Sequence, residues 1–182
     1  MEYCVIEIKH RAFDMKTDKK LRQITFTGLM AALITLFTAY IVHIPVGVGG
    51  GYVHLGDALI YLSAALLPAP YAMAAGAIGG GLADLLTAPM WAPATVIIKI
   101  LIVIPFTSKG QKLLNKRNLF APLIAMVISI IGYYLAEVFL YGKEAAFLVS
   151  VTTNTVQGIG SAAVFYILGA ALEKAGIKRL CK

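Results

Sequence analysis

Long apolar stretches, interrupted by proline, glycine or short polar loops, divide this chain into segments close to the length of membrane spans. A helix that crosses a bilayer needs about 20 predominantly apolar residues. The first stretch runs from Ile24 to Ile44 and stops at Pro45. A glycine-rich loop follows, Gly47 to Gly51, where the entropic cost of ordering glycine disfavours helix. The second stretch, Leu55 to Leu67, is short for a full crossing and is broken by Pro68 and Pro70. The third runs from Tyr71 to Ala88, and Pro89 and Pro93 bracket the turn into a fourth, Ala92 to Phe106. A basic loop, Thr107 to Asn118, leads to a fifth, Leu119 to Tyr141, whose Pro122 is placed in the first turn, where proline is tolerated. The sixth runs from Phe147 to Leu172. The pattern predicts an all-α integral membrane bundle of six transmembrane helices, or five if the second and third form a re-entrant pair.

Composition agrees. The chain is 59% hydrophobic and 14% charged, against about 25% charged in a soluble domain. The net charge of +7 raises nucleic acid as a partner, but its placement argues against one. Lys9, Arg11, Lys16, Lys19, Lys20 and Arg22 precede the first span. Lys109, Lys112, Lys116 and Arg117 lie in the loop before the fifth, and Lys174, Lys178, Arg179 and Lys182 follow the sixth. Six crossings put all three groups on one side and Lys143 on the other, and the rich side is cytoplasmic by the positive-inside rule. Both termini are therefore expected inside, in a multi-pass cell-membrane protein. The chain divides into a polar cytoplasmic leader (1–21), a transmembrane domain (22–175) and a basic cytoplasmic tail (176–182). The first 22 residues hold no apolar core with a cleavage site, so no cleavable signal peptide is expected. They are expected to be poorly ordered or loosely helical, and Met15 is a second candidate start. Cys4 and Cys181 read as incidental cytosolic thiols.

This orientation assigns a depth to each polar residue inside a span. Asp57, Asp84, Glu137, Asn154 and Gln157 map to the outer half, with Lys99 near the middle. An ionisable group in hydrocarbon is costly and is a functional candidate by default. Asn154 and Gln157 share a helix face, as do Tyr133 and Glu137, while Trp91, Thr95 and Lys99 step along one stripe. Aromatic walls with a few donors and acceptors suit a flat heterocycle. The rival reading is structural. Lys99 pairs with Asp84 or Glu137, or snorkels, the amides bond between helices, and Tyr40, Tyr52 and Trp91 serve as interface anchors. His54, ahead of the second span, is expected to be exposed.

The glycine run is no phosphate cradle, because the chain holds no Gly-x-x-x-x-Gly-Lys-Ser/Thr pattern. ATP hydrolysis by this chain is not expected, and the run reads as a flexible lid or a passive linker. No metal site and no cofactor are expected. Small residues recur four apart, which lets helix backbones approach closely. Gly76 and Gly80 suggest internal packing, whereas Gly28, Ala31, Ala32 and Thr35 on the first span suggest a docking face for a partner helix.

Five segments carry a family resemblance in their order and spacing: His54-Leu-Gly-Asp57-Ala-Leu-Ile-Tyr61, Gly79-Gly-Gly-Leu-Ala-Asp84, Trp91-Ala-Pro-Ala-Thr95, Gly132-Tyr-Tyr-Leu-Ala-Glu137 and Asn154-Thr-Val-Gln157-Gly158. Over residues 20 to 175 the chain resembles the substrate-binding S component of an energy-coupling factor (ECF) vitamin transporter, in the branch linked to riboflavin and hydroxymethylpyrimidine. The resemblance implies a subunit that captures a vitamin or precursor from outside with the first loop and the outer helix ends. It implies docking on a transmembrane coupling subunit through the small face of the first helix. Two cytosolic ATPases would supply the energy, and the S component would topple in the bilayer to release its cargo.

Two other classes compete with this one. A solitary secondary transporter or channel needs an inner exit path, and proton-coupled examples use midplane carboxylates. An intramembrane enzyme would use Asp57, Asp84, Glu137 and His54, but no nucleophile-base or metal-binding motif accompanies them.

Overall fold

The computed structural model describes residues 2–41, 44–46 and 51–179. Among the described residues, six α-helices make up the bundle: α1 (Glu2–Leu36), α2 (Gly56–Leu66), α3 (Ala69–Thr87), α4 (Ala92–Leu101), α5 (Lys116–Tyr141) and α6 (Lys143–Lys174). The polar leader is helical from Glu2, in one run with the first span, and α1 ends in a π-helical turn over Phe37–Ile41. Beyond it, strands β1 (Ile44–Val46) and β2 (Gly51–Val53) pair antiparallel, with Ile44 opposite Val53 and Val46 opposite Gly51. The glycine run thus has paired flanks. Its residues 47–50, on which the lid reading falls, lie outside the described residues, as does Cys181.

All of α2 is buried. A helix that is apolar all round belongs in the centre, and α2 packs against α1, α3 and α6. It ends at Leu66 because Leu67 precedes Pro68 and is extended. The exterior is the reverse of a soluble protein's. Leu86, Ile97, Leu123, Ile131 and Ile159 are exposed, and Phe139 is 90% exposed. Such a surface suits hydrocarbon, where helices satisfy their own backbone groups. Residues 18–41, 116–140 and 150–174 are long and apolar enough to cross a membrane, while Gly56–Leu66 and Pro89–Leu101 are shorter apolar helices.

Glycines on α3 set how closely its neighbours approach. A Cβ at Gly79 would stand 2.7 Å from Ile34 Cβ and 2.8 Å from the Ala31 carbonyl oxygen on α1. One at Gly76 would stand 3.2 Å from the Lys99 carbonyl oxygen on α4. The Gly76/Gly80 face is therefore internal packing, as expected. Between α5 and α6 the turn is one residue, Gly142, at φ 86°, where glycine avoids the strain of a side chain.

The helix α5 starts earlier than its hydropathy suggests. The Asn115 side chain caps it by accepting from the Asn118 N–H at 3.0 Å. Pro122 consequently lies in the second turn, not the first. Asn118 also organises the α4–α5 loop. Its Nδ2 donates to the Thr107 and Leu113 carbonyls, and its Oδ1 accepts from the Thr107 N–H. Arg117 donates to the Ile104 and Pro105 carbonyls, in the turns that follow α4. At the far end of α6, one Glu173 oxygen accepts from the Leu113 and Leu114 N–H groups, both at 2.8 Å. This basic end of the bundle is thus tied down by side chains, and it is the end opposite the polar residues described next.

Candidate functional site

The start of α2, the end of α3, the start of α4, the later half of α5 and the early part of α6 meet at one end of the bundle. The stripe is buried as a whole: Trp91 at the N-cap of α4, and Thr95 and Lys99 within that helix. Tyr133 of α5 spans that stripe. Its hydroxyl shares a hydrogen bond with Thr95 Oγ1 at 3.0 Å, its ring meets Trp91 edge-on at 6.2 Å, and the Lys99 ammonium lies 5.5 Å from its centroid. That last distance falls within cation–π range. Trp91, at 7% exposure, is a wall of this site and not an interface anchor; Tyr40 is exposed.

Lys99 pairs with Asp57, where the structural alternative named Asp84 or Glu137. Nζ donates to Asp57 Oδ1 at 2.6 Å, with both side chains almost wholly buried. Two buried charges hold in an apolar bundle only when paired and hydrogen-bonded. The second Asp57 oxygen accepts from Gln157 Nε2 at 2.9 Å, and Gln157 Oε1 accepts from the His54 backbone N–H at 3.3 Å. His54 is buried, correcting the expectation of an exposed side chain. It turns inward at the β2–α2 junction, where its Nδ1 accepts from the Gly56 N–H. Gly56 is required there, since a Cβ would collide with Thr38 Oγ1.

The remaining predicted residues fall into two places. Asp84 lies close enough to interact electrostatically with Lys99 and Tyr133. Glu137 and Asn154 form a separate group around Ser150. Asn154 Nδ2 donates to the Ser150 carbonyl and hydroxyl oxygens, Glu137 reaches the same hydroxyl, and Glu137 Oε2 is buried without a partner. Asn154 and Gln157 share a face of α6 yet serve different groups. Sequence reasoning missed Ser150 and the inward His54. Ser150 is four residues before Asn154, a spacing that puts it on the same face.

The small residues of α1 separate in the same way. Ala31 and Thr35 face α3, with Thr35 Oγ1 3.0 Å from the Gly79 carbonyl oxygen. Gly28 and Ala32 are exposed, and the space beside Gly28 is open.

Residues 18–174 match the model of the family described as "ECF-type riboflavin transporter, S component". The chain belongs to this family of transporter subunits. It is also 30% identical over 139 residues to an "Uncharacterized protein in gap 3'region" of Pyrococcus woesei, covering 75% of this chain and 93% of that one. An S component is a subunit of a membrane transporter, which agrees with the apolar exterior.

Proposed function

We propose that this S component captures a small aromatic, water-soluble vitamin or precursor from outside the cell, of the class of hydroxymethylpyrimidine or riboflavin. It delivers the cargo inward with a transmembrane coupling subunit and two cytosolic ATPases. The observation that carries the reading is Tyr133, which joins Trp91, Thr95 and Lys99 into one aromatic and hydrogen-bonding wall. Such a wall suits a flat heterocycle. Asp84 acts on it through its charge, Gln157 is tied to Lys99 through Asp57, and Glu137 and Asn154 form a second polar group around Ser150. The polar end faces outward in this reading, because the basic segments gather at the other end and mark the cytoplasmic side. Both termini are then inside. Gly28 and Ala32, exposed on α1, are the contacts for the coupling subunit.

Trp91 is the single tryptophan of the chain, so its fluorescence reports on this site alone. Purified protein in detergent is titrated with riboflavin, hydroxymethylpyrimidine, pyridoxine and thiamine, and any co-purifying molecule is identified by mass spectrometry. Saturable quenching by one of the four supports the reading. Failure of all four, with no co-purifying aromatic molecule, removes it.

A further inference from the structure

The capture site contains a carboxylate that is poorly placed to meet cargo. Asp57 and Lys99 are equally buried, at 1% and 0% exposure, so the difference between them is in their free hydrogen-bonding capacity. Each Asp57 oxygen already accepts a short bond from a buried side chain, Oδ1 from Lys99 and Oδ2 from Gln157. These partners come from different helices, so this one side chain on α2 sets the position of α4 and α6 groups at once. A lysine side chain is long and flexible, and in an unpaired site its ammonium would sample many directions. Here its stem runs along the bare Cα of Gly80, with a virtual Cβ 2.9 Å from Lys99 Cγ, and Asp57 fixes the tip. Of the three ammonium N–H groups, Asp57 takes one, and Nζ lies over the Tyr133 ring. Gln157 is fixed in the same manner. Its amide nitrogen is held by Asp57 and its amide oxygen by the His54 N–H, which follows β2 directly.

Building on the capture reading, we infer that Asp57 is a positioning residue. It makes no contact with the cargo and aims the Lys99 ammonium, which does, while Gln157 holds the second Asp57 oxygen in place. Preorganised donors lose less freedom on binding than mobile ones. The chain from Lys99 through Asp57 and Gln157 to the His54 backbone also ties this aim to the end of the hairpin.

A double-mutant cycle tests the inference, with Kd read from Trp91 quenching and folding from thermal melting in detergent. The tightest binder among riboflavin, hydroxymethylpyrimidine, pyridoxine and thiamine is the probe. Asp57→Asn keeps an oxygen for Gln157 but releases the ammonium, and it should weaken binding about tenfold. In a Lys99→Met background the same change should leave Kd nearly unmoved, because no ammonium remains to be aimed. If Lys99→Met does not fold, Lys99→Gln takes its place in the cycle. Losses that multiply in the double variant would mean that Asp57 touches the cargo, and would overturn the inference. So would an Asp57→Asn protein that melts lower yet binds like the wild type, since that is a purely structural role. Wild-type protein that binds none of the four probes removes the capture reading and this inference with it, a result distinct from either.

Discussion

Gly80 and Lys99 share one space: a Cβ at position 80 would stand 2.9 Å from Lys99 Cγ and 3.2 Å from Thr95 Cγ2. The lysine stem lies along α3 because that helix has no side chain there. Gly80→Ala should therefore push the stem and Thr95 aside, destabilise by about 1–3 kcal/mol and weaken cargo binding. Melting and Trp91 quenching in detergent check both effects. Gly28→Ala is the control, because nothing lies within 4 Å of that Cβ.

Lys99→Met leaves the Asp57 carboxylate buried and uncompensated. Breaking a buried pair in this way costs about 3–5 kcal/mol, whereas replacing both partners with apolar groups is often neutral or stabilising. The melting temperature should fall sharply for Lys99→Met and recover in Asp57→Leu/Lys99→Met. A double variant that melts no higher than Lys99→Met would contradict the pairing.

The two sides of α1 should respond differently to added bulk. Gly79→Ala drives a methyl group against the Ala31 carbonyl and Ile34 Cβ, so the α1–α3 seam should loosen by about 1–3 kcal/mol. Ala32→Leu adds its bulk on the exposed side. It should leave melting and cargo binding unchanged but block uptake in cells that contain the coupling subunit. Wild-type uptake would place the docking surface elsewhere.

Glu173 holds two backbone N–H groups with one oxygen. Glu173→Ala should destabilise by about 2 kcal/mol, the order for hydrogen bonds to a charged group. Amide exchange at Leu113 and Leu114 should accelerate. Cargo affinity should stay unchanged, because this clamp is at the opposite end of the bundle from Trp91.

Glu137 and Asn154 form a polar group of their own around Ser150, proposed as part of the capture site. Glu137→Ala and Asn154→Ala should each weaken capture by roughly tenfold, which corresponds to about one lost polar contact. Membrane insertion, read from the yield of extracted protein, should be unaffected. Unchanged Kd values would confine the site to the α4–Tyr133 wall.

Much of this protein follows from its amino-acid order alone. Apolar length and proline positions determined six helices, because a helix satisfies its own backbone groups in hydrocarbon and proline interrupts that ladder. Helical spacing also determined the Trp91–Thr95–Lys99 stripe, since side chains three and four apart share a face. Tertiary structure decided which charges meet. Asp57, Asp84 and Glu137 are all acids at one end of the chain's bundle, and nothing in their spacing selects a partner for Lys99. The choice of Asp57 depends on α2 lying at the centre and on Gly80 giving the lysine stem a path to it. Burial of His54 and the inward turn of Ala31 and Thr35 were decided in the same way, by bare glycine backbones at positions 56 and 79 that let neighbouring segments close in. Such contacts are set by how the helices rotate and approach, quantities that one strand of sequence does not carry.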